Sequence, residues 1–245
     1  MRQILTELAQ RHVHLSASTV AQLGRRFIVL LALAHRRCAA RLQQAMSLQG
    51  GYILHLDATY EAKSPMLMTG MDAVMEIVLG NIKLPSEKAD GIVPFLRQLK
   101  QCFGPPLASV HDMSKGILAA IQEVFPGIPD QPQRTNNLMD LFFRDFKRHC
   151  RHKTGCQALG RTLRTMLADT TLVHNLQNPE YLKILLDGQP TLEALFAQID
   201  PATVREELEK AQQNPERVPR ALKQFIGSLH SPAPITNFIQ NLKSN

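Results

Sequence analysis

The sequence lacks tryptophan, and aromatic residues make up only 5% of its 245 residues. Its four cysteines include no Cys-x-x-Cys pair, so no disulfide framework is implied and reduced thiols in a cytosolic setting are expected. The longest apolar run, residues 27–34, is far shorter than the roughly 20 residues of a membrane span. No internal repeat or low-complexity tract is visible. We therefore expect a soluble, cytoplasmic protein without a membrane partner.

Hydrophobic residues, by contrast, account for 44% of the chain, which is enough to bury a substantial core in one or two domains. Lysine and arginine together number 28, against 21 acidic residues, so the formal net charge is +7. An excess of positive charge favours anionic partners such as nucleic acid. Charge alone does not distinguish DNA from RNA or from acidic lipid.

Residues 1–49 form the first predicted domain, a helical arm. A break near His12 divides the arm, and Ser16 or Ser18 is the candidate N-cap of its second helix. This order of helix, short turn and helix is typical of a DNA-binding helix-turn-helix, although an ordinary antiparallel helix pair has the same pattern. The arginines of the second helix are compatible both with a solvated face and with phosphate contacts.

A short strand follows this arm and carries one carboxylate at its end. With a period of two, His55 and Asp57 share one face of the strand, while Leu54 and Leu56 share the other. The pattern predicts a half-buried central strand. Asp57 is then either part of a functional site or a strand cap.

Residues 50–156 form the second predicted domain, in which three strands, a helix, a fourth strand and another helix follow one another. The fourth strand leads directly to Asp112, and Ser114 is placed to cap the helix after it. Residues 127–134 contain two prolines and are predicted as a linker or a damaged fifth strand. This order predicts an α/β layer architecture, and residues 157–245 are predicted as a helical third region.

The helix predicted after residue 134 lies in the most basic window of the chain. Thr135, Asn136 or Asn137 is its candidate cap, and Asp140 lies off its apolar stripe. Between residues 140 and 165, seven basic side chains stand against two acidic ones, which favours phosphate binding. The candidate contacts to a DNA backbone are Arg144, Lys147, Arg148, Arg151 and Lys153.

Three carboxylates, Asp57, Asp112 and Asp140, thus come from separate elements. Magnesium takes oxygen ligands, usually from a few carboxylates together with water and substrate phosphates. A pair of such ions can activate the attacking oxygen and stabilise the leaving oxygen in phosphodiester chemistry. Neighbouring strand ends with a helix laid across them would bring the three acids together.

The segments that carry these acids resemble the catalytic core of the DDE transposases, whose fold is similar to ribonuclease H. LHLDATYE resembles the strand of the first acid, and SVHDMSKGILAAIQEVFPG resembles the strand and helix of the second. RTNNLMDLFFRDFKRHCRHKTG resembles the bacterial insertion-sequence pattern in which the third acid follows Thr-Asn-Asn. The resemblance implies a ribonuclease H-like mixed sheet with flanking helices, and it puts the helical arm in the place of the family's DNA-binding segment.

By this resemblance, Asp57, Asp112 and Asp140 are the catalytic and metal-binding residues, with Mg²⁺ or Mn²⁺ as the cofactor. Water or a DNA 3′-hydroxyl is then the nucleophile, and the reaction is cleavage and transfer of DNA strands. The implied partners are DNA, as element ends and target, and further copies of the chain in a homo-oligomer on DNA. The implied location is cytoplasmic and nucleoid-associated.

The sequence departs from the family pattern in two places. Aspartate stands at position 140, where the family usually has glutamate, and the segment between the second and third acids is shortened. The alternative function is therefore a catalytically inactive, transposase-derived DNA-binding protein. In another interpretation, the first two acids are strand caps and the third is a solvated side chain. A further alternative is a zinc site formed by His149, Cys150, His152 and Cys156.

Overall fold

The structure is a computed structural model, and it describes residues 2–112, 114–132, 136–154 and 159–212. For residues 2, 3, 130–132, 152–154 and 212 it describes the backbone only. The described residues up to Leu208 belong to one compact unit. The division into an arm, a core and a helical third region stays a prediction.

One mixed sheet forms the centre of this unit. Its strands are β1 (Ile53–Thr59), β2 (Met66–Asp72), β3 (Ile77–Leu84), β4 (Ala108–His111) and β5 (Asp130–Pro132). They are arranged in the order β3-β2-β1-β4-β5. β2 runs antiparallel to both of its neighbours, β4 runs parallel to β1, and β5 runs parallel to β4. The segment with two prolines therefore does contribute a fifth strand.

Helices flank the sheet. The two that follow β3 and β4 are α4 (Ala89–Phe103) and α5 (Lys115–Val124). α4 packs closely against β2 and β3 because one glycine on each strand faces it. A Cβ on Gly70 would lie 3.0 Å from the Leu99 side chain, and a Cβ on Gly80 would lie 3.1 Å from the same side chain. The mixed sheet with flanking helices confirms the α/β layer architecture that the sequence predicted.

The helical arm consists of α1 (Arg2–Gln10), α2 (Ala17–Arg37) and α3 (Ala39–Leu48). Ser16 caps α2, since its hydroxyl oxygen accepts a hydrogen bond from the Thr19 N–H at 3.1 Å. Within the described ranges, α2 is the one helix with the length and composition of a membrane span. Its second half packs into the hydrophobic core of the fold.

After β5 every element that the structure describes is a helix, as predicted, and turns connect the helices. The elements are α6 (Asn137–Thr154), α7 (Leu159–Thr165), a 3-10 helix (Ala168–Gln177), α8 (Pro179–Leu186), α9 (Leu192–Phe196) and α10 (Pro201–Gln212). The 3-10 helix covers the outer edge of β3. There the Asn175 side-chain amide accepts from the Val78 N–H at 2.7 Å and donates to the Val78 carbonyl at 2.8 Å. One side chain therefore pairs both backbone groups of Val78 on this edge strand.

A buried polar pair lies where α2, β3 and α8 meet, and we call it the His35 centre (His35, Leu79 carbonyl and Tyr181). His35 Nε2 donates to the Leu79 carbonyl at 3.1 Å, and Nδ1 therefore accepts from the Tyr181 hydroxyl at 3.0 Å. Burial lowers the pKa of His35 to about 4, so the ring is neutral at physiological pH. Both ring nitrogens are paired in that neutral form.

Candidate active site

Asp57 lies near the carboxyl end of β1, in the middle of the sheet. Leu54 and Leu56 are fully buried on one face of the strand, while His55 and Asp57 are only partly buried on the other, which is the alternation that the sequence predicted. The Asp57 carboxylate accepts a hydrogen bond from the Ala58 N–H at 2.6 Å. An acidic side chain is therefore held at the end of a central strand, half shielded from water.

Asp112 follows β4 directly, and the parallel pairing of β4 with β1 brings it to the same edge of the sheet. Leu56 is the register partner of His111, so the next residue on each strand is one of the two acids. Neighbouring strands lie about 4.8 Å apart. The Asp112 carboxylate accepts a hydrogen bond from the Ser114 N–H at 3.2 Å. The register of the two strands thus puts the first two acids next to each other, as expected.

Asp140 lies in the first turn of α6, and Asn136 fastens the start of that helix to β1. The buried Asn136 side chain accepts from His55 Nδ1 at 2.7 Å and donates to the Leu56 carbonyl at 3.3 Å. Both partners are the residues that precede Asp57 on β1. Asn136 was a candidate helix cap in the sequence, and its side chain instead fixes α6 over the end of the strand that carries the first acid.

The raised pKa of Asp57 shows that other acids lie near it. The pKa of Asp57 is raised to about 6, mainly by burial and also by the negative charges of Asp112, Asp140 and Glu87, against the lowering effect of the Ala58 N–H. The carboxylates at the end of β4 and in α6 therefore lie within electrostatic range of Asp57 on β1. A bound cation would offset both the burial and the repulsion.

Glu87 is an acid that sequence reasoning did not assign to the site. β2 is antiparallel to both β1 and β3, so the carboxyl end of β3 lies at the same edge as that of β1, and Glu87 follows it by three residues. An acid shortly after a strand end is the signal that could have found it. The backbone of Glu87 also packs closely against the first turn of α5. A Cβ on Gly116 in that turn would lie 1.7 Å from the Glu87 carbonyl oxygen, so the contact requires glycine.

A groove with a volume of about 820 Å³ opens beside these acids, and we call it the carboxylate groove. Asp57 and Asp140 line it together with basic side chains that recur on one face of α6. Apart from the pair of Arg148 with Asp145 at 3.2 Å, no ion pair among the described residues involves these basic side chains. Those that line the groove are Arg144, Lys147, Arg148 and Arg151.

Four of the five candidate DNA contacts are therefore brought together on the carboxylate groove. The fifth, Lys153, lies in the last turn of α6, and its side chain is outside the described part of the chain. Asp112 interacts electrostatically with Asp57 but is not among the residues that line the groove. The roles of all these residues in metal or DNA binding stay predictions.

The donor chemistry at this edge fits a hard divalent cation. The available groups are carboxylate oxygens, which Mg²⁺ and Mn²⁺ prefer, and the Asp57 carboxylate has an electrostatic cost that a cation would reduce. Within the part of the chain that the structure describes, however, no three His, Cys, Asp or Glu side chains are grouped closely enough to hold an ion. The Asp57 and Asp112 carboxylates instead turn to the backbone N–H groups of Ala58 and Ser114.

The two other interpretations of these residues can be placed on the structure. Asp57 and Asp112 do accept backbone hydrogen bonds, as strand caps would, but the single N–H on Asp57 does not prevent its pKa from rising. For the zinc alternative, His149 donates to the Asp145 carbonyl of its own helix at 2.8 Å. The His152 side chain and Cys156 lie outside the described residues.

No family model and no curated protein sequence matches this chain. Solved structures that resemble it include the HTLV-2 integrase catalytic core domain in complex with magnesium. Its trimeric form has 14% identity and a TM-score of 0.35, with 62% of this chain and 91% of that chain covered. Its dimeric form has 15% identity and a TM-score of 0.35, with 50% and 83% covered. A simian T-cell lymphotropic virus intasome in complex with PP2A regulatory subunit B56 gamma has 13% identity and a TM-score of 0.35, with 52% and 48% covered.

Proposed function

We propose that this protein is a DDE-type transposase that cleaves and transfers DNA strands with the help of a divalent metal ion. The observation that supports the proposal is that Asp112 and Asp140 lie within electrostatic range of Asp57, which lines a groove together with the basic face of α6. A phosphodiester needs both parts, because its reacting phosphate must be neutralised and its flanking phosphates must be held.

The three acids would hold Mg²⁺ or Mn²⁺. When bound, the ion supplies activation of the attacking oxygen and stabilisation of the leaving oxygen. The protein's own contribution would be position: β1 and β4 pair so that Asp57 and Asp112 are on neighbouring strands, and Asn136 holds the start of α6, the helix of Asp140, against β1. Partial burial keeps water from screening the charge of Asp57.

The basic face of α6 would hold the DNA backbone. Arg144, Lys147, Arg148 and Arg151 line one groove with Asp57 and Asp140, so a strand lying along them passes the acids. Contacts of this kind are independent of sequence and weaken steeply with salt. The DNA would be the ends of a mobile element and their target, bound by a homo-oligomer.

The Thr-Asn-Asn segment supports assignment to the bacterial insertion-sequence type. In that pattern the third acid follows Thr-Asn-Asn, and here the side chain of Asn136 bonds to His55 and to the Leu56 carbonyl, and so positions α6 relative to the first acid. An asparagine suits this place because its side-chain oxygen accepts while its side-chain nitrogen donates, which a carboxylate or an ammonium group cannot do.

A catalytically inactive DNA-binding protein is the second candidate. Two observations favour it: the carboxylates are not grouped as a joint ligand set among the described residues, and the chain is shortened between the second and third acids relative to the family pattern. Such a protein would keep the basic groove and bind DNA without cutting it.

Nicking of supercoiled plasmid DNA in Mg²⁺ or Mn²⁺ tests the proposal, with wild type compared with Asp57→Asn and Asp112→Asn. A suitable control is Asp187→Asn, which removes a carboxylate at the end of α8 that pairs with Arg41. We expect nicking by wild type and the control and none by the two site variants. Nicking that survives Asp57→Asn contradicts the proposal. DNA binding without nicking in every variant supports the inactive protein instead.

A further inference from the structure

A second, smaller cavity lies next to the carboxylate groove. It has a volume of about 130 Å³ and lies between the segment that follows β1, the middle of α6 and the start of α7. Tyr60 and Glu61 line it from the segment after β1, Lys147 and Arg151 from α6, and Leu159 and Thr162 from α7. The functional roles described above use none of the four residues from the segment after β1 and from α7.

The size and lining of this cavity suit one aromatic ring. An engineered protein cavity of about 150 Å³ takes up benzene, so a space of about 130 Å³ is close to that of a six-membered ring. Leu159 is buried and apolar, and Tyr60 offers an aromatic side chain that is 60% exposed. The Thr162 hydroxyl adds a group that can donate or accept at the edge of a polar ring.

The cavity and the carboxylate groove share two cations. Lys147 and Arg151 line both, so a DNA strand held by these side chains passes the mouth of the cavity. Tyr60 follows Asp57 by three residues, which corresponds to about 10 Å along an extended chain. Stacked nucleotides rise about 3.4 Å each, so the cavity lies within a few nucleotides of the acids.

Glu61 helps to build the cavity. Its carboxylate accepts a hydrogen bond from the Gly160 N–H, which joins the segment after β1 to the start of α7. A Cβ on Gly160 would lie 3.1 Å from the Glu61 carbonyl oxygen, so the two segments are in close contact. The cavity wall is therefore a defined surface and not an accidental gap between side chains.

We propose that this cavity receives one unpaired nucleobase of the DNA strand that lies in the carboxylate groove, with Tyr60 stacking on the base and Lys147 and Arg151 holding the adjacent phosphates. The inference rests on the proposed function, since it requires DNA in that groove. Stacking on an aromatic side chain is tolerant of sequence. Tyr60 is thus a positioning residue that selects DNA in which a base close to the cleavage point has left the helix.

Binding measurements with two short duplexes of one sequence test this inference. One duplex is fully paired, and the other carries a single bulged thymine, whose one ring matches the cavity, next to a 2-aminopurine nucleotide. We expect wild type to bind the bulged duplex roughly tenfold more tightly, the scale of one base stacked on an aromatic ring, and to change the fluorescence of the neighbouring 2-aminopurine. Tyr60→Phe keeps both effects, and Tyr60→Ala loses both while its affinity for the paired duplex and its salt dependence stay unchanged.

Leu141→Ala is the control, because Leu141 is an apolar residue of α6 with 49% exposure that lines neither cavity. Its preference for the bulged duplex should equal that of wild type. Equal binding of the two duplexes by wild type, or a preference that survives Tyr60→Ala, overturns the inference and leaves the strand-cleavage proposal standing. If wild type binds neither duplex, both are overturned.

Discussion

The His35 centre and the carboxylate groove each contain a buried titratable side chain next to the central sheet, and their surroundings are opposite. His35 has both ring nitrogens paired with neutral groups, the Leu79 carbonyl and the Tyr181 hydroxyl. Asp57 has one backbone N–H as its hydrogen-bond donor and other carboxylates within electrostatic range. The first centre is complete in the protein alone, whereas the Asp57 carboxylate in the second lies within electrostatic range of three other carboxylates.

The difference separates a residue that is fully paired within the fold from a carboxylate whose surroundings favour a bound cation. A paired neutral imidazole in the core costs little at neutral pH, because no charge is buried. An ionised carboxylate with a raised pKa lowers the stability of the folded state at neutral pH. Acids with strongly shifted pKa values in a groove occur at functional sites more often than expected by chance. Here we expect a bound cation to offset the burial and repulsion that raise the pKa of Asp57.

Substitution of Asp57 should give the largest effect, with activity and stability moving in opposite directions. Asp57→Asn removes the first acid, so we expect nicking to fall by roughly 10³-fold or more, the scale for loss of one electrostatic group in an active site. The same change removes a buried charge and should raise the free energy of unfolding at neutral pH by about 2 kcal/mol. Urea denaturation beside the nicking assay measures both. A variant that is both inactive and destabilised would contradict the comparison.

His35 and Asp57 should contribute to the pH dependence of the free energy of unfolding with opposite signs. The pKa of His35 is lowered to about 4, so its contribution is present above its unfolded value of about 6.5 and is lost as pH falls towards 4, about 3 kcal/mol in all. The pKa of Asp57 is raised to about 6, so the folded state gains stability as pH falls through 6. The two effects offset each other between pH 4 and 6.

Asp57→Asn should therefore make the acid limb of the stability curve steeper than in wild type. Urea denaturation at several pH values between 4 and 7 gives the slopes. His35→Gln, whose amide can also donate and accept, should change the slope in the opposite direction over the same range, because of the two groups only Asp57 then remains. Identical slopes in wild type and Asp57→Asn would mean that Asp57 has an ordinary pKa in the folded protein.

Tyr181→Phe should affect the His35 centre alone. The change removes the donor to His35 Nδ1 and leaves a buried acceptor unpaired, at a cost of about 2 kcal/mol in the free energy of unfolding. Nicking measured well below the melting temperature should be unchanged, because no residue of the carboxylate groove contacts this pair. Loss of nicking with stability intact would show that the two centres are coupled.

Local patterns predicted much of this architecture. The alternation around Asp57 and the strand that ends at Asp112 follow from a period of two, which each strand carries by itself. The pairing of His35 with Tyr181 joins residues 146 positions apart, and no local period encodes such a contact. Glu87 was missed for a related reason: its place beside Asp57 depends on the direction of β3 in the sheet, which only the assembled topology provides.

A divalent cation should stabilise the protein through the carboxylate groove and not through the His35 centre. At tenfold excess over its dissociation constant, Mn²⁺ should add about 1.4 kcal/mol to the free energy of unfolding. Thermal denaturation with Mn²⁺, and again after removal of the ion with EDTA, measures this. The shift should vanish in Asp57→Asn and persist in Tyr181→Phe. An equal shift in Asp57→Asn would place the ion elsewhere.

Asp140→Glu should produce the smallest change, and it examines how complete the carboxylate groove is. Asp140 is on a helix whose start is fixed to β1 by Asn136, so the backbone cannot easily move to compensate for a side chain that is one methylene too short. Glutamate would extend the carboxylate towards Asp57 from the same helical position.

If the third acid limits the reaction, nicking by Asp140→Glu should rise by a few-fold, equivalent to less than about 1 kcal/mol in the barrier. The Asp57 pKa should rise as well, because a third negative charge comes closer. A clear loss of nicking in Asp140→Glu, with the fold intact, would mean that the groove is already matched to aspartate or that another acid, with Glu87 the first to examine, completes it.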